Sequence, residues 1–170
     1  EPVVGKLNVP IMDQPFSMSI IDDDFMKDTG AKNIQDALQY TSGVYSGAFG
    51  ADTRIDSAKV RGISPGLYLD GLRQLYGSDL GGVINSVSKL PKSEQQGEIW
   101  GQYGSHNRKQ IAFDVTGPAT DDGKLLYRVV GLQRDADTQV DHVEDDGYVI
   151  APSITWRPTD DTTFSFLLNR

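Results

Sequence analysis

Few residues of this chain have the chemistry to cut, transfer or ligate. The 170 residues include no cysteine and two histidines, so thiolate metal sites and disulfide scaffolds are excluded. Only His106 and His142 supply imidazole, one in the turn Gly104-Ser105-His106-Asn107-Arg108 and one in the acidic stretch 139–146. Asp141, His142, Glu144 and Asp145 carry ligand atoms, but carboxylates on a polar loop are ordinarily solvated, and no metal is expected. Asp22-Asp23-Asp24 lacks the interleaved ligand spacing of a calcium loop and reads as a helix start. Gly43, Gly47 and Gly50 do not lead from a strand into a helix, so they make no dinucleotide fingerprint. No nucleophile with its base is expected either, and the chain does not read as an enzyme. Binding chemistry remains. The glycine-rich loop 43–58 carries Tyr45, Phe49 and Arg54, and a loop of that length inside a compact domain marks a functional or mobile segment.

The elements that position this loop follow from pattern. Residues 16–21 alternate Phe16, Met18 and Ile20 with serine and Ile21, the period of a strand with one buried face. Asn33 opens a helix with Ile34, Ala37, Leu38 and Thr41 on one face and Gly43 as its stop. Residues 59–73 read as a hairpin: Val60 leads into a turn region at Gly62-Ile63-Ser64-Pro65-Gly66, and the short strand Leu67-Tyr68-Leu69 ends in Asp70-Gly71, a tight-turn pair because glycine, and to a lesser degree aspartate, tolerates positive φ. Residues 81–89 read as a further strand with a glycine-rich entry. Pro91-Lys92-Ser93-Glu94-Gln95-Gln96-Gly97 is polar and makes the best domain boundary.

Beyond it the texture changes to strands separated by acidic turns: 98–104, 109–116, 125–134, 148–157 and 163–169. Ile111, Phe113 and Val115 oppose Gln110, Ala112, Asp114 and Thr116. Ile150, Ile154 and Trp156 oppose Ala151, Ser153 and Thr155, and Phe164 and Phe166 oppose Ser165 and Leu167. In 125–134, Arg128 and Arg134 share a face with Val130 and Leu132, so that alternation is mixed. A soluble sandwich and a transmembrane barrel both alternate in this way, and pattern alone leaves both open. No run reaches the ~20 apolar residues of a membrane helix. The net charge of −8 and the lack of a basic stripe exclude nucleic acid as a partner.

Two motifs are more specific. Val60-Arg61-Gly62-Ile63-Ser64-Pro65-Gly66-Leu67-Tyr68-Leu69-Asp70-Gly71-Leu72, followed by Gly81-Gly82-Val83-Ile84-Asn85-Ser86-Val87-Ser88-Lys89, resembles the plug domain of TonB-dependent outer-membrane receptors, nearest the ferric-siderophore receptors of the ferrichrome type. Residues 98–105 and 148–158 resemble the first barrel strands of those receptors. The resemblance implies a mainly β fold with short helices: an α+β plug domain over 1–90, a linker at 91–97, and an antiparallel β-meander from a transmembrane β-barrel over 98–170. It implies ferric-siderophore binding and uptake at the bacterial outer membrane, with the TonB-ExbB-ExbD complex and outer-membrane lipid as partners and iron only as cargo, without a cofactor. Loop 43–58 becomes an apical loop, so Tyr45, Phe49 and Arg54 are expected to face the chelate, together with the post-hairpin residues Gln74 and Tyr76.

The family separates its two motifs by two to three dozen residues that include a strand. Here Arg73-Gln74-Leu75-Tyr76-Gly77 runs straight into the second motif, as if that strand had been cut out. The opening Glu1-Pro2-Val3-Val4 is at most a remnant of a TonB box. Such a chain is expected to be a receptor fragment that does not transport alone. The other readings are a soluble secreted β-rich binding module and a non-functional receptor remnant.

Overall fold

The computed structural model describes residues 13, 17–47, 49, 55–75 and 77–170. The chain divides between Ser88 and Lys89 into two compact units.

In the first unit, α1 (Asp23–Thr29) begins where the aspartates predict. The Asp22 carboxylate accepts the Phe25 N–H at 2.9 Å, Asp23 and Asp24 occupy the positive first turn, and Gly30 closes the helix at φ 64°. The second helix, α2 (Ile34–Ala37), starts at its predicted cap: Asn33 Oδ1 accepts the Asp36 N–H at 2.8 Å. It stops at Ala37 rather than running on to Gly43, because the chain turns at once through Leu38–Thr41 (Thr41 N–H to Leu38 O, 2.9 Å). One turn of helix cannot carry the four-residue apolar stripe, so Ala37 and Leu38 are buried while Ile34 is exposed. Ser17–Ile21 joins no ladder; Phe16 lies outside the described residues.

Two small sheets follow. β1 (Val44–Ser46) pairs antiparallel with β2 (Ala58–Val60), with Tyr45 opposite Lys59. The other sheet has the order β4-β3-β5, where β3 is Pro65–Leu69, β4 is Leu72–Arg73 and β5 is Ser78–Ser86. Asp70 and Gly71, at φ 51° and 78°, form the predicted tight turn between β3 and β4. The turn region 62–66 does not close a hairpin as expected: β2 pairs with β1 and β3 with β4 and β5, so the chain changes sheets there. The Asp70 carboxylate then accepts both the N–H and the hydroxyl of Ser88 at 2.6 and 2.8 Å, which fastens the end of the second motif to the first.

β5 lies parallel to β3. Parallel neighbours ordinarily need a crossover of a dozen residues or more, yet here only Asp70–Gly77 intervene, with β4 inside them. The short path is tight. Gly77 sits at φ 102°, and a Cβ there would collide with the Pro65 carbonyl. The register jumps from Pro65↔Ser78 to Gly66↔Val83, leaving Asp79–Gly82 bulged out of the ladder. Asp79 in that bulge accepts the Tyr68 hydroxyl at 3.0 Å; this bond, desolvation of the phenol and the carboxylate's charge raise Tyr68 above its ordinary pKa.

The second unit is a five-stranded antiparallel meander in the order β10-β9-β8-β7-β6. Its strands are β6 (Gln96–Tyr103), β7 (Lys109–Pro118), β8 (Leu125–Asp135), β9 (Gly147–Thr159) and β10 (Thr162–Leu167). β6 begins two residues inside the stretch read as a linker. The β7–β8 turn is closed by Asp122, which accepts the Thr120 hydroxyl at 2.6 Å and the Lys124 N–H at 3.1 Å. Those two donors hold its carboxyl below the ordinary aspartate value.

Two outcomes follow. Gly77→Ala is expected to destabilise the first unit by about 1–3 kcal/mol, since a side chain is forced into a positive-φ position against backbone; the urea midpoint would measure it. A folded pKa lowered in this way stabilises the turn above the unfolded carboxylate value, and the effect is lost as pH falls through the folded one. Carboxyl titration by NMR should show Asp122 titrating below a free aspartate, and Thr120→Val should move it back.

Candidate functional site

Each ladder of the second unit fixes which side chains share a face, because successive residues of a strand point to opposite sides. The pairs Glu98↔Asp114, Asp114↔Val130, Arg128↔Ser153 and Thr155↔Ser165 place these residues on one face, together with Thr116, Leu126 and Arg134. Ile99, Ile111, Phe113, Ile150, Ile154, Trp156, Phe164 and Phe166 fall on the other.

The burial of the two faces is inverted relative to a water-soluble sheet. Asp114, Thr116, Arg128, Ser153 and Thr155 are buried, Thr155 to 3% exposure, whereas Ile111 is 59% and Phe166 67% exposed. A soluble sandwich does the reverse. The apolar face is also well packed within itself. Trp156 and Phe164 stack at 5.7 Å between centroids. The ring of Phe113 covers its cross-strand partner Gly131, where any Cβ would meet it. An apolar outer face with a polar inner one is the arrangement of a sheet whose outside meets hydrocarbon.

The buried polar face is satisfied. Arg128 grips Asp114 through two parallel bonds, Nε to Oδ1 at 2.8 Å and Nη2 to Oδ2 at 2.6 Å. Thr155 and Ser165 hydroxyls lie 3.0 Å apart. Among the described residues, no buried side-chain nitrogen or oxygen lacks a hydrogen-bond partner, as burial of polar atoms demands. The mixed alternation of β8 is thereby explained: Arg128 and Arg134 sit on the polar face because their carboxylates lie there. At one end of the sheet Asp145 accepts from Arg108 at 3.3 Å and from Arg134 at 2.7 Å, tying the β6–β7 turn to the β8–β9 loop. Asn107 bonds Asp137 across the same two loops at 2.7 Å. Asp145, grouped above with Asp141, His142 and Glu144 by sequence, is thus occupied by two guanidinium groups. The charge pairing was invisible in sequence, since Asp114 and Arg128 become neighbours only through the ladder register.

The residues expected to face a ligand lie in the first unit. Tyr45 stands on β1 with 63% of its surface exposed, Phe49 follows it at 70%, and Gln74 is exposed just after β4, its N–H donating to Leu67 O at 2.8 Å. Arg54 and Tyr76 lie outside the described residues. Among the described residues no hydrogen bond or ring contact joins Tyr45, Phe49 and Gln74 to one another. Gly62-Ile63-Ser64-Pro65-Gly66 does have the G-x-S-x-G spacing of a hydrolase elbow, but it runs from strand to strand rather than from strand to helix. Ser64 Oγ there accepts from Lys59 Nζ at 2.7 Å.

A small mixed α/β unit followed by an inside-out antiparallel meander is the architecture of a plugged outer-membrane barrel. Comparison with known proteins agrees. Residues 10–95 match the family described as TonB-dependent Receptor Plug Domain, and the chain belongs to that family. It is 33% identical over 95% of its length to the ferrioxamine B receptor of Salmonella typhimurium (strain SL1344). It is 34% identical over 95% of its length to the ferrichrome outer membrane transporter/phage receptor of Escherichia coli (strain K12). It spans 28% and 26% of those two relatives. The alignment with the first runs over 196 positions, more than the 170 residues of this chain, so the relative carries stretches that this chain lacks. The fold matches the pyoverdine outer membrane receptor of Pseudomonas aeruginosa PAO1 with a TM-score of 0.76 at 24% identity, over 85% of this chain and 26% of that one.

The face assignment is directly testable. Cysteines placed at Ile111, Ile150 and Ile154 should react with a lipid-soluble label in membranes, and cysteines at Ser153 and Thr155 should not. Preferential labelling at Ser153 would overturn the assignment.

Proposed function

We propose that this chain is the plug-bearing part of an outer-membrane receptor that binds a ferric siderophore and admits it to the periplasm under the pull of the TonB-ExbB-ExbD complex. The observation that carries the proposal is the inside-out meander directly following a plug-family unit: a polar inner face and an apolar outer face are what a plugged barrel wall requires. The chelate class is a ferric hydroxamate. Ferrioxamine and ferrichrome both hold iron through hydroxamate oxygens, and the receptors named for them are 33% and 34% identical to this chain, against 27% for the catecholate siderophore receptor Fiu of Escherichia coli (strain K12).

Capture falls to the exposed aromatics Tyr45 and Phe49, with Gln74 and, from the sequence, Arg54 and Tyr76. Rings supply contact area against a bulky chelate at low entropic cost, and a guanidinium or amide donates to its oxygens. The wall of the site is the outer-membrane barrel. Five strands do not close one, since the smallest natural membrane barrels have about eight, and both edges of this sheet, β6 and β10, lack a strand partner among the described residues. Unpaired edges in hydrocarbon cost several kcal/mol per group, so transport requires further strands.

In a receptor containing this chain, Arg54→Ala should weaken ferric-hydroxamate binding by about 1–3 kcal/mol, the range for losing a charge-assisted hydrogen bond. Tyr45→Ala should weaken it as well. Equilibrium binding with ferrioxamine and ferrichrome as probes, and a ferric catecholate for contrast, is the test. Unchanged affinity in both variants would remove these residues from the site, and exclusive binding of the catecholate would remove the hydroxamate assignment.

A further inference from the structure

Between Ser88, the last residue of the first unit, and Gln96, where β6 begins, the chain runs without regular structure. Pro91 interrupts it, and proline has no N–H to offer a ladder. Such a segment would ordinarily be free to move. Here it is gripped at successive residues by the polar face of the meander. Arg128, while holding Asp114 with Nε and Nη2, turns its remaining nitrogen to the backbone: Nη1 donates to the Leu90 carbonyl at 2.9 Å. Lys89 Nζ donates to Asp114 Oδ2 at 3.2 Å. The Lys92 N–H donates to Thr116 Oγ1 at 2.8 Å, and that hydroxyl in turn donates to the Tyr127 carbonyl at 2.9 Å. Asp114, Thr116 and Arg128 are all buried, and Pro91 is buried between the points of grip.

We propose that Asp114, Arg128 and Thr116 form a clamp that fixes residues 89–92 to the inner wall, so that displacement of the plug stops at Leu90 instead of propagating into the barrel strands. The inference rests on the receptor reading, in which the first unit is moved and the second is the wall. Stability alone is a poor explanation for the arrangement, because a buried ion pair is often replaced by apolar side chains without loss. An apolar pair, however, could not hold a carbonyl and an N–H of an irregular segment. The guanidinium is suited to the task because its planar fork serves the carboxylate and still has a donor to spare, which a lysine ammonium cannot reproduce in that geometry. Arg128 and Thr116 are therefore positioning residues, acting on the chain that leaves the plug.

Amide exchange on a receptor containing this chain, in detergent micelles, tests the clamp. Arg128→Lys retains a cation for Asp114 but loses the fork to Leu90, and Thr116→Val removes the acceptor of the Lys92 N–H. Both variants are expected to raise Lys92 amide exchange at least tenfold while the β7–β8 ladder amides keep their wild-type protection. Ser153→Ala, on the same face but outside the grip, should change neither. Unaltered exchange at Lys92 in both variants would overturn the proposal, as would ladder amides accelerating by the same factor, which would make Arg128 a support of the sheet. Failure of the receptor reading shows elsewhere, as absence of ferric-hydroxamate binding by the unmodified receptor.

Discussion

The two-residue alternation enforced by the backbone ladder of the meander is the constraint on which the rest depends. Once β7 and β8 pair in the observed register, Asp114 and Arg128 must share a face, and so must Ile111 and Phe113 on the other side. A slip of one residue between them would put Asp114 and Arg128 on opposite faces, turn one of the two charges toward the apolar side, and bring the apolar side chains of the slipped strand inward. The bidentate Asp114–Arg128 pair therefore fixes register as well as neutralising charge, and the Phe113 ring over Gly131 does the same from the apolar side. Register, polarity and the docking of residues 89–92 are three results of one alignment.

The first unit is built on a different economy. Its described core is small, and much of its specificity comes from single polar bonds between residues distant in sequence: Asp70 to Ser88, Gln35 to Ser57, Asn85 to the Gly71 N–H. The sheet order β4-β3-β5, with a parallel pair joined by a very short path, concentrates strain at Gly77 and in the bulge 79–82. That is where, by the resemblance read from the sequence, the family carries an intervening strand. The chain still forms a parallel neighbour for β3, at the expense of a regular ladder.

Much of this was legible in the residues. Asp22 and Asn33 announced their helices because cap chemistry is local, and Asp70-Gly71 announced its turn for the same reason. The faces of β7, β9 and β10 followed from period-two alternation. What sequence could not supply was anything set by register between distant residues. Arg128 and Arg134 looked like interruptions of an apolar pattern until Asp114 and Asp145 were placed beside them. The extent of α2 was overestimated because an amphipathic spacing does not reveal that the chain turns after one helical turn. The run at 16–21 alternated like a strand, yet its described part, Ser17–Ile21, found no partner, and alternation without a partner makes no sheet. The exposed Tyr45, Phe49 and Gln74 were assigned by resemblance, and their chemistry depends on a ligand.

The length of β9 carries a geometric consequence. Its 13 residues, at about 3.3 Å each, make a strand of about 43 Å. The hydrocarbon layer is about 30 Å thick, so a strand of that length crosses it fully embedded only when inclined by about 45°. At that inclination strands spaced about 4.8 Å apart each occupy about 7 Å of circumference, and a plugged barrel of about 22 strands measures about 150 Å around. The five strands described here would supply close to a quarter of that perimeter.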